Sequence, residues 1–365
     1  MAYQKNIKNL VCLQIIPTMG IGGVETGSRD ISKYLSKNKI KNYILCEKNK
    51  NNIKDQNLNI IYLNDLKFKN IFDQYKIKRF IKKIIQNKGI NLVHISSRAP
   101  AFFLVNFLRK QSIKIVTSIH NKYNPGFFLK NWYNSYLYKG DAVIFNSNFV
   151  KNTYLKKYSD KNKLFVIPRG IDTDYFQSSS TKKKDNIKKI LLPSRMSSWK
   201  GHDNLLKFYI RKEFNFRDQF KLVFISSHQS KYEKRIDLLI KNLNLSKFVI
   251  FKKPTLNIKK LYEDSFIIIN FSTRPEGFGR TISEALSMKK PVIAPNMGGT
   301  KEQLLKFDKK LLFDVKSYSS FIKSFKYVND NYTNIVKNSR DFVIENFSSE
   351  KMCKETLKIY LRNFN

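Results

Sequence analysis

Acidic residues are scarce in this chain: its 365 residues hold 28 Asp and Glu against 69 Lys and Arg, a formal net charge of +41. Such a field draws anionic partners, whether phosphorylated substrates, membrane surfaces or nucleic acid. Lys, Asn and Ile are raised together throughout, so compositional drift of the source genome accounts for part of the excess. Cysteine is scarcer still. Cys12, Cys46 and Cys353 are odd in number and lack metal-ligand spacing, which argues against a disulfide framework and fits a reducing cytoplasm. Long hydrophobic runs are missing. No segment approaches the roughly 20 apolar residues that span a bilayer. The apolar run after MAYQKNIKNL is only about seven residues long, a buried strand rather than a signal peptide. Membrane contact is therefore expected to be peripheral. Helix-turn-helix, zinc-finger and RNP signatures are also absent, so charge alone speaks for nucleic acid.

What is present is alternation. Short apolar runs at Leu10–Pro17, Asn42–Cys46, Asn59–Leu63, Leu92–Ile95, Ile113–Ser118, Ala142–Asn146 and Leu164–Ile167 are separated by amphipathic stretches. In one of these, Ile77, Phe80, Ile81, Ile84 and Ile85 share a helical face, with Lys76, Arg79, Lys82 and Lys83 elsewhere. The polar segment Gln177–Lys189 has no such period and reads as a linker. Strand candidates then resume at Ile190–Ser194, Lys221–Ser226, Phe248–Phe251, Phe266–Phe271, Val292–Ala294 and Leu311–Phe313. The pattern predicts an α/β protein with two parallel-sheet domains, 1–176 and 190–345. A C-terminal helix over 346–365 is expected to pack back on the first domain. Ligands are expected at the carboxyl ends of the strands.

Three motifs fall at such ends. Met19–Glu25, MGIGGVE, follows the first strand. Its Gly22 and Gly23 let a ligand approach backbone at a helix N-terminus, although the spacing is not the dinucleotide fingerprint. Pro193–Gly201, PSRMSSWKG, follows the first strand of the second half. There Arg195, a planar fork, and Lys200, a point charge, suit a diphosphate. Arg274–Ala285, RPEGFGRTISEA, combines Glu276, the turn Gly277-Phe278-Gly279 and, eight residues after the first acid, Glu284 near the start of a helix. One carboxylate can meet a sugar while the other accepts from ribose hydroxyls, and the glycine turn offers N–H groups to a phosphate.

These segments resemble the signature of glycosyltransferase family 4, in which two glutamates separated by seven residues mark the donor site. GGVE at Gly22–Glu25, PRGID at Pro168–Asp172, SRMSSWKG and PVIAPNMGGTKE at Pro291–Glu302 match further family segments in the right order. VHISSRAPAF at Val93–Phe102 and FNSNFV at Phe145–Val150 resemble its bacterial lipopolysaccharide-core and envelope members. The resemblance implies the GT-B fold, two Rossmann-like domains whose parallel sheets face a central cleft. It also implies retaining transfer from a nucleoside-diphosphate sugar to a glycan or lipid-linked acceptor, with no metal or cofactor. Arg195 and Lys200 would bind the diphosphate, Glu284 the ribose, and Glu276, with Gly277, Phe278 and Gly279, the donor sugar and phosphate. Gly22 and Gly23 would approach the phosphates or the acceptor. His120, closing KIVTSIH, matches the family's active-site histidine. His94 is its competitor, with His202 and His228 behind.

The pair Asp172 and Asp174 imitates a metal-binding motif but reads as turn chemistry. Tyr123–Tyr138 holds Phe127, Phe128, Trp132, Tyr133 and Tyr136 among Lys122, Lys130 and Lys139, which suits either a buried aromatic face or an anionic membrane surface or lipid-linked glycan. A cytoplasmic location at the inner face of the membrane is the corresponding expectation. The competing readings are a nucleotide-sugar epimerase, another GT-B enzyme, or a basic nucleic-acid-binding protein; no specific nucleic-acid partner is expected.

Overall fold

The computed structural model describes residues 9–20, 22–48, 55–64, 71–124, 126–155, 163–178, 187–255 and 257–362. Among the described residues thirteen strands form, each where an apolar run predicted one, with ends displaced by at most two residues. The first seven are β1 (Val11–Ile15), β2 (Lys41–Glu47), β3 (Ile60–Leu63), β4 (Leu92–Ile95), β5 (Lys114–Ile119), β6 (Ala142–Phe145) and β7 (Leu164–Val166). They make one sheet in the order β3-β2-β1-β4-β5-β6-β7. The other six are β8 (Lys188–Arg195), β9 (Phe220–Ile225), β10 (Val249–Lys252), β11 (Ile267–Ile269), β12 (Val292–Pro295) and β13 (Leu312–Phe313). They make a second sheet in the order β10-β9-β8-β11-β12-β13. Every strand pair is parallel.

Parallel strands bury both faces, and the packing shows it. Along β1, Leu13 and Ile15 belong to one apolar cluster while Leu10, just before it, and Cys12 belong to another. On β6, Val143 and Phe145 side with the first cluster, Ala142 and Ile144 with the second. This is the period of two expected of a strand. The helix Ile71–Lys88 lays Ile77, Ile81, Ile84 and Ile85 on the first face. The second face is covered by Ile31 and Leu35 from the helix Gly23–Lys37 and by Met352, Cys353, Leu357 and Tyr360 from the last helix, Ser349–Arg362.

The chain divides into two compact units, Met1–Gly170 with Ser349–Asn365, and Ile171–Ser348. The first unit thus ends at Gly170, six residues before the expected limit of 176, and for a local reason. Ile171 bridges to Ser348 and donates its N–H to the Phe347 carbonyl at 2.9 Å. The guanidinium of Arg340 then fastens the next residues, donating to the carbonyls of Thr173 at 2.9 Å and Phe176 at 3.0 Å. Most of the expected linker 177–189 lies outside the described residues. Its last two, Lys188 and Lys189, already pair with Phe220 and Lys221 as the start of β8.

Candidate active site

In an open parallel sheet, the crevice lies where the strand order reverses. In the first unit that point is between β1 and β4, and in the second between β8 and β11. The three motifs hang from these strands. Gly22 and Gly23 follow β1, Arg195 and Lys200 follow or end β8, and the Glu276 turn follows β11.

In the second unit the chemistry gathers on Glu276. The Lys200 ammonium donates to its Oε1 at 2.7 Å, as does the Asn270 amide at 3.0 Å, and the Ser272 hydroxyl donates to the same oxygen. Lys200 also lies over the Trp199 ring, 4.1 Å from its centroid, a cation–π contact that limits its reach. Burial alone would raise the Glu276 carboxyl. The Lys200 charge and the hydrogen bonds from Lys200, Ser272 and Asn270 outweigh it, so its affinity for a proton falls below the ordinary carboxylate range. Glu276 is therefore an anion and an acceptor, not a proton donor.

The turn after it is built by a neighbouring helix, Gly298–Phe307. The Gly299 N–H donates to the Glu276 carbonyl at 2.8 Å. A side chain at Gly299 would collide with the Gly277 carbonyl and the Phe278 Cα, so the second glycine motif exists to let the first turn approach. The buried Gln303 amide donates to the carbonyls of Phe278 at 2.6 Å and Gly279 at 3.2 Å, and its oxygen accepts from Ser283 at 2.5 Å. Gly279 has φ +85° and caps the helix Arg280–Ser287, a backbone that favours glycine. On that helix Glu284 accepts from Arg280 at 3.1 Å and from the Tyr262 hydroxyl at 2.8 Å. Burial and the Glu284 charge push the Tyr262 phenol far up, so it remains a donor. Arg195 ends β8 with its side chain exposed, and among the described residues it forms no ion pair.

In the first unit His120 follows β5 and lines an open pocket with Ser96, Ser118, Lys122 and Asn134. A cavity of about 20 Å³ adjoins it, lined by His94, His120, Asn146 and Arg169, with room for roughly one water-sized group. Both ring nitrogens of His120 are buried with no hydrogen-bond partner among the described residues. The same holds for Oδ1 of the buried Asn146, whose amide donates to the His120 carbonyl at 3.1 Å. Burial, then the charges of Arg169 and His94, hold His120 well below the ordinary histidine range, so its imidazole is neutral.

His94 lies inside β4 rather than at its end. Its Nδ1 is 2.6 Å from the Tyr360 hydroxyl and its Nε2 2.6 Å from the Ser118 hydroxyl. It is a core histidine that links the last helix to the pocket wall, and burial pushes it down to about 3. His202 is fully buried against Phe224 and is held down to about 4. His228 is 2.9 Å from Asp237 in a more exposed loop. Gly22 precedes the helix Gly23–Lys37, and a side chain there would collide with the Glu25 carboxylate. That helix terminus already faces a negative charge, which suits a hydroxyl better than a phosphate. Asp172 spends its carboxylate on the N–H groups of Asp174 at 3.1 Å and Tyr175 at 2.9 Å, the turn chemistry expected of it. Among the described residues no three His, Cys, Asp or Glu side chains are grouped as a metal site.

Comparison with known proteins shows the family. The family "Glycosyltransferase Family 4" matches residues 21–175, and "Glycosyl transferases group 1" matches residues 174–346. A solved glycosyltransferase from Rickettsia africae is 30% identical, with a TM-score of 0.83 over 96% of this chain and 97% of that one. The chain belongs to glycosyltransferase family 4. The solved HepE of Anabaena, in complex with UDP and glucose, shares the fold at 17% identity, with a TM-score of 0.80 over 96% of this chain and 98% of that one. A curated "Probable sucrose-phosphate synthase" of Thermosipho melanesiensis is 28% identical over 218 residues, 57% of this chain and 50% of the relative.

Some groups of this family 4 chain escaped the sequence. Asn270, Ser272, Tyr262 and Gln303 all hold the carboxylates or the glycine turn. Asn270 and Ser272 had a signal: they are polar residues flanking Phe271 at the end of a buried strand. Tyr262 and Gln303 reach their partners through folding alone.

Proposed function

We propose that this chain is a retaining, metal-independent glycosyltransferase. It takes a sugar from a nucleoside-diphosphate donor to a glycan or lipid-linked acceptor in bacterial envelope biosynthesis, such as lipopolysaccharide assembly, at the inner face of the cytoplasmic membrane. The observation that carries this reading is the Lys200–Glu276 pair at the β8–β11 switch point, with Arg195 at the end of the same strand. The complex of HepE with UDP and glucose supports a nucleotide-sugar ligand.

The donor's bond from anomeric carbon to phosphate oxygen breaks, and negative charge grows on the departing diphosphate. Arg195 and Lys200 stabilise that charge, with the N–H groups of the glycine turn. Preorganised donors of this kind are worth about 10²–10³ in rate each. Lys200 has three N–H donors, so engagement with Glu276 leaves it donors for a phosphate oxygen. Glu276, ionised, accepts from donor-sugar hydroxyls, and Glu284 from the ribose. The acceptor oxygen bonds to the anomeric carbon from the face that the diphosphate leaves, and its proton passes to a departing phosphate oxygen. Neutral His120 hydrogen-bonds a sugar hydroxyl. Gly22 and Gly23, beside the Glu25 carboxylate, meet the acceptor.

Product analysis tests this. An α-linked donor should give an α-linked product by NMR anomeric coupling, with the same yield in excess chelator. A β-linked product would overturn retention, and loss of transfer on chelation would overturn metal independence. Conversion of the donor to an epimer without any acceptor would overturn transfer itself.

A further inference from the structure

The segment that lines the His120 pocket also carries Phe127 and Phe128, the two most exposed large hydrophobic side chains among the described residues. Asn121, Lys122 and Asn124 line the pocket, as do Asn134 and Leu137. Between them, Phe127, Phe128 and Leu129 stand consecutively at 90%, 81% and 70% exposure, with Trp132 at 46%. The helix Phe128–Ser135 is thus two-sided, with Asn134 buried against the pocket and Phe128 and Leu129 turned to solvent. The sequence left open whether this aromatic stretch packs inward. Tyr136 does, while the three residues at the helix start do not.

The patch continues beyond the helix. The Trp132 ring meets Phe102 edge-on at 4.8 Å, and Phe102, Phe103 and Phe107 line a shallow groove flanked by Lys78 and Lys110. Charge marks the same region. From Gln74 to Gly140 the chain has thirteen Lys and Arg and no Asp or Glu. Basic residues are no denser here than elsewhere, but the acids that offset them elsewhere are gone. Exposed aromatic and aliphatic side chains within an uncompensated basic field match an anionic bilayer surface, where apolar tips enter the acyl boundary and lysines meet headgroups.

From this we infer that Phe127, Phe128, Leu129 and Trp132, ringed by Lys110, Lys122 and Lys130, dock the protein on an anionic lipid bilayer. The inference rests on the proposed reading of a membrane-borne acceptor and deepens it. Docking through this segment holds the His120 pocket beside the lipid surface, where an acceptor hydroxyl on a lipid carrier would arrive.

Co-sedimentation of the full chain with vesicles tests it without donor or acceptor. Wild type should bind phosphatidylcholine vesicles containing phosphatidylglycerol, bind pure phosphatidylcholine weakly, and be released by salt. The triple variant Phe127→Ser/Phe128→Ser/Leu129→Ser, and separately Lys110→Glu/Lys130→Glu, should each weaken binding by about tenfold or more. Both should keep the wild-type melting temperature and the same thermal shift with a nucleotide sugar. Undiminished sedimentation of the triple variant would overturn the proposal. So would equal binding to both kinds of vesicle, or a wild-type dimer that the triple variant dissolves while no vesicle binds. Loss of nucleotide-sugar binding in wild type would count against the transfer reading instead and leave the vesicle result standing.

Discussion

The candidate sites of the two units are prepared in opposite ways. In the second unit, Glu276 has Lys200, Asn270 and Ser272 on one oxygen, and its turn is pinned by Gly299 and Gln303. In the first unit, His120 and Asn146 bury polar atoms that find no partner among the described residues. A satisfied network fixes geometry before a ligand arrives, whereas unsatisfied groups cost stability and await one. Under the proposed function, the charged site of the second unit would hold a ligand whose phosphates always stand in one place. The neutral site of the first unit would, under the same proposal, gain bonds only when a sugar is present.

Substitutions should split along that line. Lys200→Met should hurt most, slowing transfer by about 10²-fold or more. It should also lower folding stability by roughly 2 kcal/mol, because a buried carboxylate loses its cation; kinetics and urea melts check both. Arg195→Ala should slow transfer by about 10²-fold with an unchanged melt, since the side chain is exposed and unpaired among the described residues. His120→Leu should invert the pattern. Transfer should fall by about tenfold or more, while stability holds or rises by about 1 kcal/mol as two unpartnered nitrogens leave the interior. A melt lowered as far as that of Lys200→Met would erase the contrast.

The histidines give the smaller, pH-dependent test. His94, at about 3, and His202, at about 4, are neutral in the fold, as is His120, while all three protonate near 6.5 once unfolded. Their folded affinities for a proton are depressed, so stability is fully present above pH 6.5 and falls as the pH drops below it. Each costs about 1.4 kcal/mol per pH unit there. Unfolding between pH 6 and 5 should take up close to three protons by calorimetry in paired buffers. Tyr360→Phe should have the least effect, about 1 kcal/mol, because it removes only the hydroxyl that bonds His94 and Cys12.

Much of this was legible in the sequence because it is local. Strands such as Leu92–Ile95 are apolar runs bounded by polar residues, and the switch-point motifs follow them directly. The Glu276 turn announced itself through glycines and acids at one strand end. Partnerships across the chain left no such trace. Nothing near Tyr360 points to His94, 266 residues away, and nothing in GGTKEQ says that Gln303 holds the Phe278 carbonyl. The boundary at Gly170 was missed because it rests on Ile171 pairing with Ser348, a contact made by folding rather than by a linker composition.

The claim on which the rest depends is that Arg195, Lys200 and the Glu276 turn bind a nucleoside-diphosphate sugar. Thermal melts of wild type and Arg195→Ala with UDP-, GDP- and ADP-sugars, with and without chelator, test it directly. At least one donor should raise the wild-type melting temperature by several degrees regardless of chelator, and the shift should vanish in Arg195→Ala. No shift with any donor, or an equal shift in the variant, would contradict it.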